Sequence, residues 1–255
     1  MVWEVERLGR RSTLIGAAHF FPRHFRRELR RLMADARVVL LEGPLDEAAT
    51  RKLLAAGRGL GGLELYKGAK QKIDARLGIY SAPLDVNRML RDLIFGRQEE
   101  WLEQELRTLK PWAAFFGIWT RFRAREGWEH KLDLDAAQIA AKLGKEIRYL
   151  ETIEEQIAAL EAVPAERYAR FLASGDWRGY NEAYERHYLA GDLEGLAAAA
   201  QDFPTYCEPV IDARDPVLAA RMAVELEAGG ACVVIGVAHC RGVLHRLKKD
   251  GFYVS

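Results

Sequence analysis

The sequence predicts an α/β protein: a small mixed, mainly parallel sheet flanked by helices, with a large helical insertion at about residues 46–138. Three observations carry this. Short apolar runs alternate with amphipathic stretches at both ends of the chain, the middle has helical patterning throughout, and two matched phrases, LIGAAHFFP and VVIGVAHCRG, place a glycine and then a histidine after an apolar run. VWEVE (2–6) and STLIGA (12–17), separated by a turn-like LGR, read as a hairpin that leads to Gly16 and His19. Residues 23–35 carry Phe25, Leu29, Leu32 and Met33 at helical spacing opposite a basic face. RVVLLEG is an apolar run ending in Glu42, punctuated by Gly43 and Pro44, and reads as a buried strand with a carboxylate at its tip. Helices are expected at 85–95, 98–108 and 111–125, with a break at Ala82-Pro83. GKEIRYLET (144–152) is a strand ending near Glu151, and a helix follows it at once. Further helices are expected at 165–174, 177–189, 192–201 and 213–227, with Pro216 near the start of the last. ACVVIG (231–236) is a buried strand, His239 follows it, CRGVLHRLKKDG returns as a helix, and FYVS is a last strand.

Composition bounds the function. The chain has 255 residues, 49% hydrophobic and 29% charged, a formal charge of +1 and a pI near 7.7, so no global positive field argues for nucleic acid. Cys207, Cys232 and Cys240 match neither a disulfide framework nor a zinc motif, which fits a reducing cytoplasm. The N-terminal stretch is not a signal peptide, and no apolar run approaches the roughly 18 residues that span a membrane. The expected partners are therefore neither nucleic acid nor membrane.

Chemistry concentrates at strand ends. His19, Glu42, Glu151 and His239 are each expected just past a strand, and in a parallel sheet those ends share one edge, where the four side chains can converge. Imidazole with carboxylate suits Zn, Mn, Co or Fe. Gly16 and Gly236 lack a Cβ, which permits a close backbone approach to whatever the histidines hold. Each residue has a plainer reading: Glu42 or Glu151 as a helix cap, with Thr152 competing for that role, and the histidines as structural groups. His24, His130, His187 and His245 lie in helical or polar stretches. Cys240, beside His239, is a weak candidate nucleophile. The basic run RHFRRELRR (23–31) reads as a solvated helix face or an anion-attracting surface near His19, and Trp112, Phe115, Phe116, Trp119 and Phe122 read as helical core or as a cleft wall.

GAAHFFP, ADARVVLLEGPLD, LETIEEQIAAL, DARDP and VIGVAHCRGVLHRLKKDGFYV resemble, in order, the landmark segments of the TraB/GumN family, which includes the Tiki metalloproteases. The resemblance covers both ends and residues 133–255, and is less diagnostic over about 50–130. It implies an erythromycin-esterase/ChaN-like fold and, for the Tiki branch, Mn- or Co-dependent peptide-bond hydrolysis. By matching position it makes His19, Glu42 and His239 the metal-site residues and Arg214 a basic partner, with Glu151 as general base or fourth ligand. Two departures stand out: Arg214-Asp215 where many relatives carry Arg-Asn, and GVAHCRG where they commonly carry GAGH. The function expected is a divalent-metal hydrolase acting on a peptide or small ester, with Arg214 on the oxyanion and Glu151 handling protons. The alternative is a non-catalytic protein that uses the same crevice for a metal, haem-like or anionic ligand.

Overall fold

The computed structural model describes residues 1–79, 98–174 and 176–255, so the helix expected at 85–95 and the break at Ala82-Pro83 lie outside the described residues. In chain order the elements are β1 (Val2–Arg7), β2 (Arg10–Ala17), α1 (Arg26–Ala34), β3 (Val38–Leu41), α2 (Glu47–Ala56), α3 (Gly62–Leu77), α4 (Gln98–Leu106), α5 (Pro111–Arg125), α6 (Leu132–Lys142), β4 (Glu146–Tyr149), α7 (Ile153–Glu161), α8 (Ala165–Ala173), α9 (Trp177–Ala190), α10 (Leu193–Ala200), α11 (Asp215–Ala228), β5 (Ala231–Gly236), α12 (Val237–Lys249) and β6 (Tyr253–Val254). Contacts divide the chain into two compact units. One holds Met1–Thr50, Trp128–Val163 and Asp176–Ser255, and the other Arg51–Gly127 and Pro164–Gly175.

The first unit is built on a six-stranded sheet of order β4-β3-β5-β2-β1-β6. β4, β3, β5 and β2 run parallel, while β1 pairs antiparallel with both β2 and β6. The β1–β2 hairpin turns through Leu8 and Gly9, both left-handed at φ 51 and 75, the geometry that two-residue hairpins favour. Every residue of β3 and β5 is buried, which is why both read as unbroken apolar runs, whereas Glu146 and Tyr149 of the edge strand β4 face solvent.

Register then fixes the functional edge. Ala17 lies opposite Gly236, and Leu41 opposite both Val234 and Tyr149, so the four parallel strands end within two residues of one another at one edge. One boundary differs from the sequence reading. The helix after β5 begins at Val237 rather than near Cys240, so His239 sits in its first turn instead of a loop. Val237 and Ala238 have no turn chemistry and simply continue into helix. The helix after β4 starts on a capping box in which Thr152 accepts from the Glu155 N–H and Glu155 accepts from the Thr152 N–H. That box relieves Glu151 of any capping duty.

The second unit is helical. On α5, Trp112, Phe115, Trp119 and Phe122 are buried, and Phe115 and Trp119 pack on Tyr168 and Phe171 of α8 at centroid distances of 5.1–5.8 Å. The aromatic run is thus the core of this unit, and it recruits α8 from a distant part of the chain. In the first unit, α1 buries Leu29 and Met33 and leaves Arg27, Arg30 and Arg31 exposed, while Arg23 pairs with Glu185 and Arg26 with Asp135. Among the described residues, no helix is long and apolar enough to cross a membrane.

Candidate functional site

The strand ends bring the expected residues together around Gly236. Glu42 follows β3 directly, and its own N–H bonds to Val234 O at 3.1 Å, which ties it to β5. Its carboxylate accepts the Gly236 N–H on Oε2 at 2.6 Å and the Arg214 Nη2 on Oε1 at 2.6 Å. Glu151 anchors its N–H on the Glu42 carbonyl at 2.9 Å and accepts Arg214 Nε on Oε1 at 2.8 Å and Nη2 on Oε2. The third guanidinium nitrogen, Nη1, donates to Val210 O at 3.3 Å. Arg214 is therefore wholly engaged, as a clamp between two strand-end carboxylates.

The two histidines are held alike. His239 Nδ1 donates to Asp215 Oδ1 at 2.8 Å and His19 Nδ1 donates to Asp133 Oδ2 at 2.8 Å, since an ionised carboxylate has no proton to give. In each ring this leaves Nε2 as the unbonded nitrogen. His239 Nε2 lies 3.8 Å from Glu42 Oε1. Asp133 and Asp215 are the functional neighbours that sequence reasoning missed: Asp133 occurs in an ordinary acidic first helical turn, and Asp215 drew notice only as a departure beside Arg214.

Gly236 is the centre of the arrangement. A Cβ placed on it would stand 3.1 Å from Glu42 Oε2, 3.3 Å from His19 Nε2 and 3.6 Å from His239 Cδ2. The missing side chain leaves a small cradle between one carboxylate and two imidazoles. Gly16 differs, although its phrase matches. Its missing side chain points at Cys240 Sγ, Val237 and Trp3, so it admits the start of α12 against β2 instead of lining the cradle. Cys240 is fully buried behind it, and burial pushes its thiol up, so the thiolate needed for nucleophilic attack is disfavoured.

The electrostatics follow from this packing. Burial works to raise the Glu42 carboxyl, but His239, Arg214, His19 and the Gly236 N–H outweigh it and hold Glu42 down at about 2. Desolvation works to lower His19, and is overcome by Asp133 and Glu42, which raise it to about 9. The His19 side chain is 59% exposed. Burial would lower Arg214, and Glu151 and Glu42 raise it instead. The groups at the opposite end are dry: the side chains of Glu151, His239 and Asp215 are 2%, 4% and 5% exposed.

The donor set bears on a divalent ion in two ways. Among the described residues, no group of three or more His, Cys, Asp or Glu is gathered into a ready coordination shell. Yet two imidazoles pinned at Nδ1 by carboxylates, with Nε2 left to ligate, is the arrangement that metal-binding histidines use, and the Gly236 cradle puts one point within 3.1–3.6 Å of His19, Glu42 and His239. The residues present fit such an ion by chemistry.

A comparison with protein-family models matches the TraB/PrgY/gumN family over residues 1–255. No curated protein and no solved structure matches the chain.

Proposed function

The chain belongs to the TraB/PrgY/gumN family, and from that premise and the strand-end geometry we propose that it is a divalent-metal-dependent hydrolase of the peptidase or esterase type. The observation that carries the reading is the Gly236 cradle, a single point within 3.1–3.6 Å of the Glu42 carboxylate and the two histidine rings. His19, Glu42 and His239 would hold the ion, Mn or Co being favoured by the family resemblance and Zn being compatible with the donors. When bound, such an ion polarises a carbonyl and lowers the pKa of water toward about 7.

The remaining residues prepare that site. Asp133 and Asp215 fix the ring orientation through Nδ1, so that Nε2 of each histidine is the nitrogen left for an ion, which in His19 displaces a proton at neutral pH. Arg214 and the Gly236 N–H keep Glu42 ionised and immobile, and Glu151 in turn holds Arg214. Glu151 and Arg214, expected to move protons and to stabilise an oxyanion, are in this reading positioning groups, because their polar atoms are occupied with each other and with Glu42. The shared net charge of Glu42, Glu151 and Arg214 is negative, which favours a cation in the cradle.

The test is metal-stripped protein reloaded with Mn, Co or Zn and offered a panel of peptide and ester substrates, alongside His19→Ala and His239→Ala. Hydrolysis that needs metal and vanishes in both folded variants supports the reading. Absence of hydrolysis with every metal removes it in favour of a ligand-binding role, and activity that persists in His239→Ala removes this ligand set.

A further inference from the structure

Two histidines that the strand-end network does not use stand together on the sheet-bearing unit. His24, just before α1, and His130, just before α6, have ring centroids 5.5 Å apart and ring planes at 86°. Backbone pairing brings them together from distant parts of the chain. The Phe21 N–H donates to the His130 carbonyl at 2.8 Å, the His130 N–H donates to the Phe21 carbonyl at 3.1 Å, and the Leu132 N–H donates to the Ala18 carbonyl at 3.1 Å. Phe21 is fully buried against Phe25, Trp128 and Tyr188 at centroid distances of 4.9–5.6 Å, which fixes the backbone that carries both histidines.

Neither ring is spent on holding the fold. His19, His187 and His239 each engage an aspartate through Nδ1, whereas His24 and His130 make no hydrogen bond or ion pair among the described residues, so all four of their ring nitrogens are available. His24 is exposed and His130 half-buried. The cations nearest to His24 in the chain are committed elsewhere, Arg23 to Glu185 and Arg26 to Asp135, and Lys131 lies over the Phe20 ring at 5.0 Å.

The spacing is that of two imidazoles on one ion. Rings that share a tetrahedral ion through bonds of about 2.0–2.1 Å have their centroids about 5 Å apart. The ring torsion of a histidine is soft, and a turn of the exposed His24 ring aims a nitrogen at the space it shares with His130. We propose that His24 and His130 form a second divalent-metal site, separate from the Gly236 cradle, for a borderline transition ion such as Zn(II). Imidazole alone does not suit Mg or Ca, which take oxygen ligands. Among the described residues no third His, Cys, Asp or Glu completes the shell, so water fills the remaining positions. The ion clips residues 18–24 to residues 130–133, the same pairing that sets His19 against Asp133.

The test titrates Zn(II) into the metal-stripped full chain, with the histidine ring resonances followed by NMR and the affinity measured by calorimetry. The His24 and His130 rings should shift together and saturate with one ion, and the affinity of that step should fall at least tenfold in His24→Gln and in His130→Gln taken singly, because a lone imidazole loses the advantage of the second. His24→Gln alters an exposed ring, so it reports even if His130→Gln folds poorly. His19→Ala should leave both shifts unchanged, whether or not the cradle takes an ion of its own, so the failure of the hydrolase reading leaves this site standing. Four results overturn the proposal: no shift of the two rings with Zn(II), a shift of one without the other, an affinity that either glutamine substitution leaves intact, or shifts that vanish in His19→Ala, which would assign the ion to the strand ends.

Discussion

Gly236→Ala isolates the cradle from everything around it, because it removes no functional group. The backbone there, at φ −53 and ψ 130, is open to any L-residue, so the change carries no conformational strain. Restricting the unfolded chain stabilises by about 0.4–1 kcal/mol. Against that, the new methyl would stand 3.1 Å from Glu42 Oε2 and 3.3 Å from His19 Nε2, closer than ordinary contact. Glu42 is held by Arg214 and by the Gly236 N–H itself, so it yields only a few tenths of an ångström. Overpacking of this kind costs about 1–3 kcal/mol. The balance is a loss of about 0–2.6 kcal/mol, which for a chain of this size lowers the melting temperature by no more than about 10 °C. Function should fall much further, since a misplacement of about 1 Å can cost about a hundredfold in rate. Calorimetric titration with Mn(II) and a peptide-hydrolysis assay, run on the same thermally characterised protein, give the comparison. Wild-type metal affinity and activity in Gly236→Ala would refute the placement of the site, and outright unfolding would refute the claim that the glycine serves the cradle alone.

Arg214→Met leaves Glu42 and Glu151 facing each other without a cation, and should cost about 3–5 kcal/mol in urea denaturation; a loss under about 1 kcal/mol would contradict the clamp. Glu42, depressed to about 2 from 4.5, contributes stability that is fully present above pH 4.5 and is lost as pH falls toward 2, so Glu42→Gln should flatten the acid limb of the stability profile over that interval. His19, raised to about 9 from 6.5, is protonated at pH 7, and an ion taking its Nε2 must displace that proton. Apparent Mn(II) affinity should therefore rise about tenfold per pH unit up to about pH 9, and a flat profile would remove His19 from the ligand set. Thiol titration of the native protein should register the half-buried Cys207 first, with Cys232 and the fully buried Cys240 reacting only on unfolding; three fast thiols would contradict the burial of α12 against β2.

The strand ends were legible because β3 and β5 are buried on both faces, so their composition has no alternation to confuse, and a polar residue at the tip stands out. Their convergence also followed from parallel pairing alone. What could not be read were bonds made across the chain. His19 and Asp133 are 114 residues apart, and Lys131-Leu132-Asp133 has the look of any helix start. Asp215 reaches His239 only because α11 and α12 pack side by side with Gly242 at the contact, where any Cβ would collide with the Asp215 carboxylate. The two glycine-histidine phrases were also more alike on paper than in space. β2 runs on to Ala17 before the chain leaves it, while β5 ends at Gly236 and becomes helix at the next residue, so equal spacing puts one glycine against the core and the other in the cradle.

The position of β5 has a consequence for how the molecule is made. β2 and β3 are consecutive strands, yet they do not pair with each other: β5, about 200 residues later, fills the slot between them. During synthesis at about 5–20 residues per second, both edges wait at least about ten seconds for their partner, with apolar, hydrogen-bond-hungry backbone on each side. Glu42 and His19 are made about 200 residues before Gly236 and His239 and cannot meet them until that stretch is complete. The strand-end cluster is thus incomplete, and the two edges open to wrong pairing, for the whole of that interval. Holdase binding to the β2–β3 segment, or its sensitivity to strand-mimicking peptides, is where a defect in maturation should first be felt.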